Sequence, residues 1–112
     1  MSTPDISHLE PWLEHLRMDH HKRWFREVFS RILSFGYAPR DLGPNDIQDG
    51  YDLRWQKRDT YIEASRDIQF QQSIATGVII SDEGESYDIQ LSVNTPLEVV
   101  HAAIKHLNPD HE

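Results

Sequence analysis

Two periods of apolar residues divide this chain. Over the first third they recur at spacings of three and four: Trp12, Leu13 and Leu16, then Trp24, Phe25, Val28, Phe29, Ile32 and Leu33. That spacing predicts helix over about residues 9–35, apolar on one face. The polar stretch Arg17–Arg23 interrupts the stripe, so one long helix or two short ones broken near Asp19 are both compatible with it. Ser7-His8-Leu9-Glu10 has the form of a capping box, with Pro11 in the first turn, where a missing N–H costs least. Gly36 follows the last apolar turn as a natural stop. Residues 36–50 show no period and hold Gly36, Pro39, Gly43, Pro44 and Gly50; they read as a loop, long enough to be functional or partly folded.

From Tyr51 the period becomes two. Tyr51, Leu53 and Trp55 alternate with polar residues, and a second run follows at Thr60–Ser65. A turn at Arg58-Asp59 sets Trp55 opposite Ile62, Leu53 opposite Ala64 and Arg54 opposite Glu63. Apolar pairs and opposite charges then meet in a single register. Arg-Asp is a poor type I′ turn, which leaves the turn type open. A second hairpin runs from Ile74–Ile80 through Ser81–Ser86 to Tyr87–Val93, with Ile80 expected opposite Tyr87 and Val78 opposite Ile89. Gly77 inside that strand implies a bulge or a close approach of backbones. Asp67–Gln72 is ambiguous. Thr95-Pro96-Leu97-Glu98 has a capping hydroxyl, a proline at the first helical position and a carboxylate three residues after the cap. With Leu97, Val100, Ile104 and Leu107 on one face, it predicts a helix over 96–107.

The fold class expected is α+β in one domain over 1–112: an N-terminal helix (one long or two short), a four-stranded antiparallel β-meander over 51–93, and a C-terminal helix packed on the sheet. Both helices should cover the apolar face. Asp52, Arg54, Glu63, Asp88, Gln90 and Ser92 would lie on the opposite face.

Composition narrows the function classes. With 112 residues and 38% apolar side chains there is material for one core. The chain has no cysteine, which removes disulfides, thiolate metal sites and cysteine nucleophiles together and favours a cytoplasmic protein. No apolar run approaches a membrane span. The net charge of −8 is lopsided: residues 67–112 hold eight carboxylates and a single Lys or Arg, Lys105, whereas residues 1–40 are nearly balanced. Such a surface disfavours direct nucleic-acid binding, which needs a Lys/Arg face. It suits solubility, a basic protein partner, or mimicry of a phosphate backbone.

Among candidate chemistries, His8, His15 and Asp19 fall on one helical face, and His101 and His106 lie on the last helix, but four zinc ligands cannot be assembled from them. Asp46, Asp49 and Asp52 do not match the calcium-loop spacing. Glu63, Asp88 or a histidine could act as acid or base, yet no sequence feature pairs them. There is no nucleophile elbow, phosphate-cradling loop or dinucleotide fingerprint. No cofactor is expected, and an enzyme or ligand-binding domain built on the 36–50 loop is the least favoured class.

The leading expectation is a non-enzymatic protein-binding module of inhibitor or immunity type. Asp82, Glu83 and Glu85 at a hairpin tip, with neighbouring Asp88, would face a basic partner. The alternative is a homo-oligomer or assembly component, joined through a sheet edge or through the N-terminal helix. There Trp12, Arg17, Lys22, Arg23, Trp24 and Arg26 are the candidate interface.

Overall fold

The computed structural model describes residues 5–40, 47–48, 52–70, 73–82 and 87–107. A short 3-10 turn at Ser7–Leu9 leads directly into helix α1 (Glu10–Leu13). The expected capping box does not form. Asp5 Oδ1 accepts the Ser7 N–H instead (2.9 Å), and the Glu10 carboxylate turns to Arg26. The polar stretch does break the helical region: the chain is extended at Met18, and helix α2 runs from Asp19 to Ser34. Gly36 ends the helical region with φ +86°, a conformation that glycine adopts without steric penalty.

The stripe read from the sequence becomes the buried side of α2, with Trp24, Phe25, Val28, Phe29 and Ile32 all inside. Aromatic rings link the layers. Trp12 of α1 meets Phe25 and Phe29 edge-on, at centroid distances of 5.0 and 5.5 Å, and Phe29 meets Trp55 of the sheet at 5.3 Å. Such pairs add about 0.5–1.5 kcal/mol each beyond area burial, so this run of rings fixes the helices on the sheet.

The sheet has five strands in sequential order, all antiparallel: β1 (Ala38–Pro39), β2 (Leu53–Lys57), β3 (Thr60–Phe70), β4 (Ser73–Asp82) and β5 (Tyr87–Ser92). The four-strand expectation is one short. Two residues including a proline carry no alternation, so β1 leaves no periodic trace, yet it pairs with Gln56 and Trp55 from within the expected loop. The β2–β3 register is the one charge and apolar matching predicted, with Trp55 on Ile62, Leu53 on Ala64 and Arg54 on Glu63. Positive φ at Arg58 but not at Asp59 rules out type I′ and matches the sign pattern of type II′.

The β4–β5 register differs from expectation by two residues. Ile80 pairs with Ile89, and pairing extends to Asp82↔Tyr87, so the connection is shorter than the six-residue turn anticipated. A slip of two leaves each residue on its expected face, because side chains alternate with a period of two. Asp67 falls at a register irregularity of β3 between Ser65 and Ile68, and β3 continues through it to Phe70. Gly77 marks a close approach: a Cβ there would lie 2.2 Å from the Leu91 carbonyl oxygen.

Helix α3 (Leu97–Leu107) follows the sheet. The Thr95 hydroxyl, expected to cap it, donates to the Ser92 carbonyl (2.6 Å), and Trp24 Nε1 donates to the Thr95 carbonyl (2.8 Å), tying α2 to the start of α3. Both long helices lie on one side of the sheet. Leu53, Trp55, Ile62, Ala64, Val78, Ile80 and Leu91 point towards them and are buried with Val100 and Ile104 of α3. Among the described residues no helix is long and apolar enough to cross a membrane.

Candidate functional site

Because the helices share one side, the other side of the sheet has no covering layer among the described elements. Alternation fills it from two rows that cross the strands. One row is Gln56, Tyr61, Ser81 and Asp88; the other is Arg54, Glu63, Ile79 and Gln90. Arg40, just past β1, joins the second row through its N–H, which donates to the Arg54 carbonyl (2.9 Å). Between the rows lies an open concavity of about 430 Å³ lined by Arg40, Arg54, Tyr61, Glu63, Ser81 and Asp88.

The polar groups here hold one another in place. Arg54 Nε donates to Glu63 Oε2 at 3.0 Å across the β2–β3 ladder. The Arg40 guanidinium lies 5.1 Å from the centre of the Tyr61 ring and donates to Gln56 Oε1 (2.7 Å). Gln56 Nε2 in turn donates to the Tyr61 hydroxyl (3.1 Å). These contacts are solvent-exposed or half-buried, so each contributes little to stability, about 0–1 kcal/mol. They do fix the side chains in a defined pattern. Positive charge gathers over β1–β2, and Asp88 stands at the β5 end with no ion-pair partner among the described residues.

The four carboxylates singled out in the sequence are placed differently. Asp88 is exposed on this open face, opposite Ser81. Asp82 has the parity of Val78 and Ile80 and projects from the opposite face of the sheet at the end of β4. Glu83 and Glu85 lie outside the described residues. Asp82 and Asp88 therefore flank one end of the hairpin from its two sides and do not form a single patch.

The candidate interface on the N-terminal helices separates as well. Trp12 is 0% and Trp24 6% exposed, so both belong to the core and neither can anchor a contact. Their positions in the apolar stripe carried that information already. Arg26 donates to both carboxylate oxygens of Glu10 at 3.1 and 3.0 Å, and Lys22 lies 3.9 Å from Glu14. The Arg26 hydrogen bonds hold the Glu10 carboxyl below its usual range, and the same contact raises the Arg26 pKa. Arg17 and Arg23 are exposed. Arg23 and Arg26 border a groove of about 470 Å³ between α2 and the start of α3, beside Trp24, Asn94 and Leu97.

The histidine and aspartate groupings are not brought together. His15 Nε2 donates to the Gln48 carbonyl (2.6 Å), leading it away from His8 and Asp19. Asp52 Oδ1 accepts the Ser65 hydroxyl (2.6 Å), while Asp46 and Asp49 lie outside the described residues. Among the described residues no three His, Asp or Glu side chains converge as a metal-binding set. His101 sits at the α2–α3 contact with Nε2 buried and without a partner among the described residues. Burial first, and then the Arg31 charge, lower its pKa below 6.5.

Sequence reasoning missed Arg40, Tyr61 and Ser81. Tyr61 and Ser81 were within reach by extending the alternation from Glu63 and Ile79. Arg40 had no signal, since it lies next to a two-residue strand. No family model, curated protein or solved structure matches this chain.

Proposed function

We propose that the protein is a non-enzymatic protein-binding module that uses the open face of its sheet, with the acidic β4–β5 end directed at a basic partner. One observation carries the reading. The helices leave the other side of the sheet uncovered, and polar side chains described there hydrogen-bond to one another around a shallow concavity. A two-signed face of this kind can be read by a partner of complementary charge, which sets both association rate and register. Asp88 lies at its rim without an ion-pair partner among the described residues, and Asp82 stands at the same end of the hairpin. The chain between them carries Glu83 and Glu85.

The sheet face is preferred to the α2–α3 groove because Arg26, one of the two arginines bordering that groove, is already answered by Glu10, and among the described residues the groove holds no network of paired polar side chains like that of the sheet face. An enzyme is less well supported. Glu63 is held by Arg54, and the concavity opens widely to solvent, whereas general acid–base catalysis needs two groups aimed at one reacting atom.

The test is affinity capture from the source cells with the wild-type chain and with Asp88→Lys, each at low and moderate salt. A basic protein retained by the wild type, lost on charge reversal and weakened by salt supports the assignment. Equal retention by both chains rejects the surface, and the absence of any basic protein among those retained rejects the function.

A further inference from the structure

Arg40 and Arg54 face each other across the β1–β2 ladder. The Arg40 N–H donates to the Arg54 carbonyl (2.9 Å), which continues the Ala38↔Gln56 and Pro39↔Trp55 register by one residue. The two arginines are therefore an opposed pair, and both line the concavity on the open face. Like charges directly opposite one another repel. Glu63 answers Arg54 through Nε alone (3.0 Å), and the two Nη groups of Arg54 donate to no acceptor among the described residues. The Arg54 side chain is 57% exposed, so that unused edge of its fork is open to a ligand. Arg40 is held in place beside it by the Tyr61 ring and Gln56 Oε1. A guanidinium edge of this kind matches an oxyanion, most simply a carboxylate, with two parallel hydrogen bonds.

The negative pole lies across the sheet. Asp88 on β5 is exposed and stands three strand spacings from Arg54 on β2, about 14 Å. A ligand that only carried negative charge would meet Asp88 as well as the arginines, and one that only carried positive charge would meet the arginines. The face is complementary to a molecule bearing both signs, spaced to match. Shape narrows it further. The two rows of side chains are set two residues apart along the strands, about 7 Å, which admits an extended backbone but not an α-helix about 10 Å across. A free small molecule fits less well, because the concavity is open and such ligands usually have about 70–90% of their surface buried.

We propose that the open face takes an extended segment of a protein partner, laid across the strands, with a carboxylate on the Arg40–Arg54 pair and a Lys or Arg at Asp88. Four residues of extended chain span about 14 Å, the same as the three strand spacings, and residues four apart point to the same side. The residue midway also faces the sheet. It lies over the Tyr61 ring and Ile79, which suits an apolar or aromatic side chain. This rests on the reading of the open face as the binding surface, and it adds that the partner, basic as a whole, brings one carboxylate to the β1–β2 end.

The experiment is selection of displayed random short peptides on the full chain at low salt, followed by affinity measurements on a synthetic peptide from the enriched set. Enriched peptides should share an Asp or Glu and a Lys or Arg about four residues apart. Arg54→Gln should weaken such a peptide about fivefold, and converting the peptide's acid to its amide should do the same with the wild-type chain. With Arg54→Gln that conversion should have no further effect, the signature of a direct pair. Asp88→Asn should show the same coupling to the peptide's Lys or Arg. Enriched peptides that are basic only, weakened by Asp88→Asn but not by Arg54→Gln, would overturn the inference and leave the basic-partner reading standing. Peptides that bind all three chains equally would reject both. A selection that enriches nothing, or peptides of both signs without coupling to Arg54, would overturn the inference alone.

Discussion

The two faces of this sheet are built from alternate residues of the same strands and behave as different materials. On the inner face Trp55, Ile62 and Ile80 are fully buried, and Trp55 meets the Phe29 ring of α2. One position along each strand, Arg54, Glu63 and Ile79 belong to a face with no covering layer among the described elements, where polar groups pair with one another in the open. Apolar burial on the first face stabilises the fold. Contacts on the second are screened by water and contribute little to stability, yet they set a pattern. A surface that is ordered without being stabilising is where recognition is most economically placed.

Substitutions should expose that difference in size order. Trp55→Ala empties a core site and should cost about 3–5 kcal/mol in urea unfolding. A loss under about 1 kcal/mol would mean that the inner face is not the core described. Gly77→Ala forces a Cβ onto the Leu91 carbonyl and should cost about 3 kcal/mol, at the upper end for overpacking, with exchange protection lost first in β5. If β5 amides stay protected, the close approach has relaxed cheaply.

Acid should act in part through the helix contact, alongside His21, whose pKa burial also lowers. Burial depresses the His101 pKa in the folded state, so the unfolded chain binds its proton more readily. Stability is then fully present above about pH 6.5 and falls as pH drops from there towards the lowered folded value. His101→Gln should flatten that part of the stability curve; an unchanged slope would place the proton uptake elsewhere. Arg54→Ala on the open face should be the mildest change, costing about 0.5 kcal/mol or less. Any larger destabilisation would contradict the view that this face is structurally dispensable.

How much could be read in advance follows the same divide. Helix α2 and the β2–β3 register were legible because burial imposes a period on the apolar residues, and a charge pair confirmed the phase. The β4–β5 register missed by two because Tyr87 and Ile89 both satisfy the alternation, and periodicity cannot distinguish slips that preserve the face. Glu10 resembled a capping residue until tertiary structure placed Arg26 beside it. The working surface was half visible: Arg54, Glu63, Asp88 and Gln90 followed from alternation, whereas Arg40 is positioned by a two-residue strand with no pattern of its own. The basic stretch of α2 misled most, because Trp24 and Trp12 of α1 belong to the core and Arg26 and Lys22 have partners on or just after α1.

Carboxyl footprinting tests the central claim most directly. The protein is labelled in buffer and again in an extract of its source cells, and the reactivity of individual Asp and Glu side chains is compared. Asp88 and Glu63 on the open face should lose reactivity in the extract, while Glu14 and Glu27 on the helical side keep theirs. Protection of Glu14 and Glu27 with Asp88 and Glu63 unchanged would put the binding surface on the helices and contradict the account.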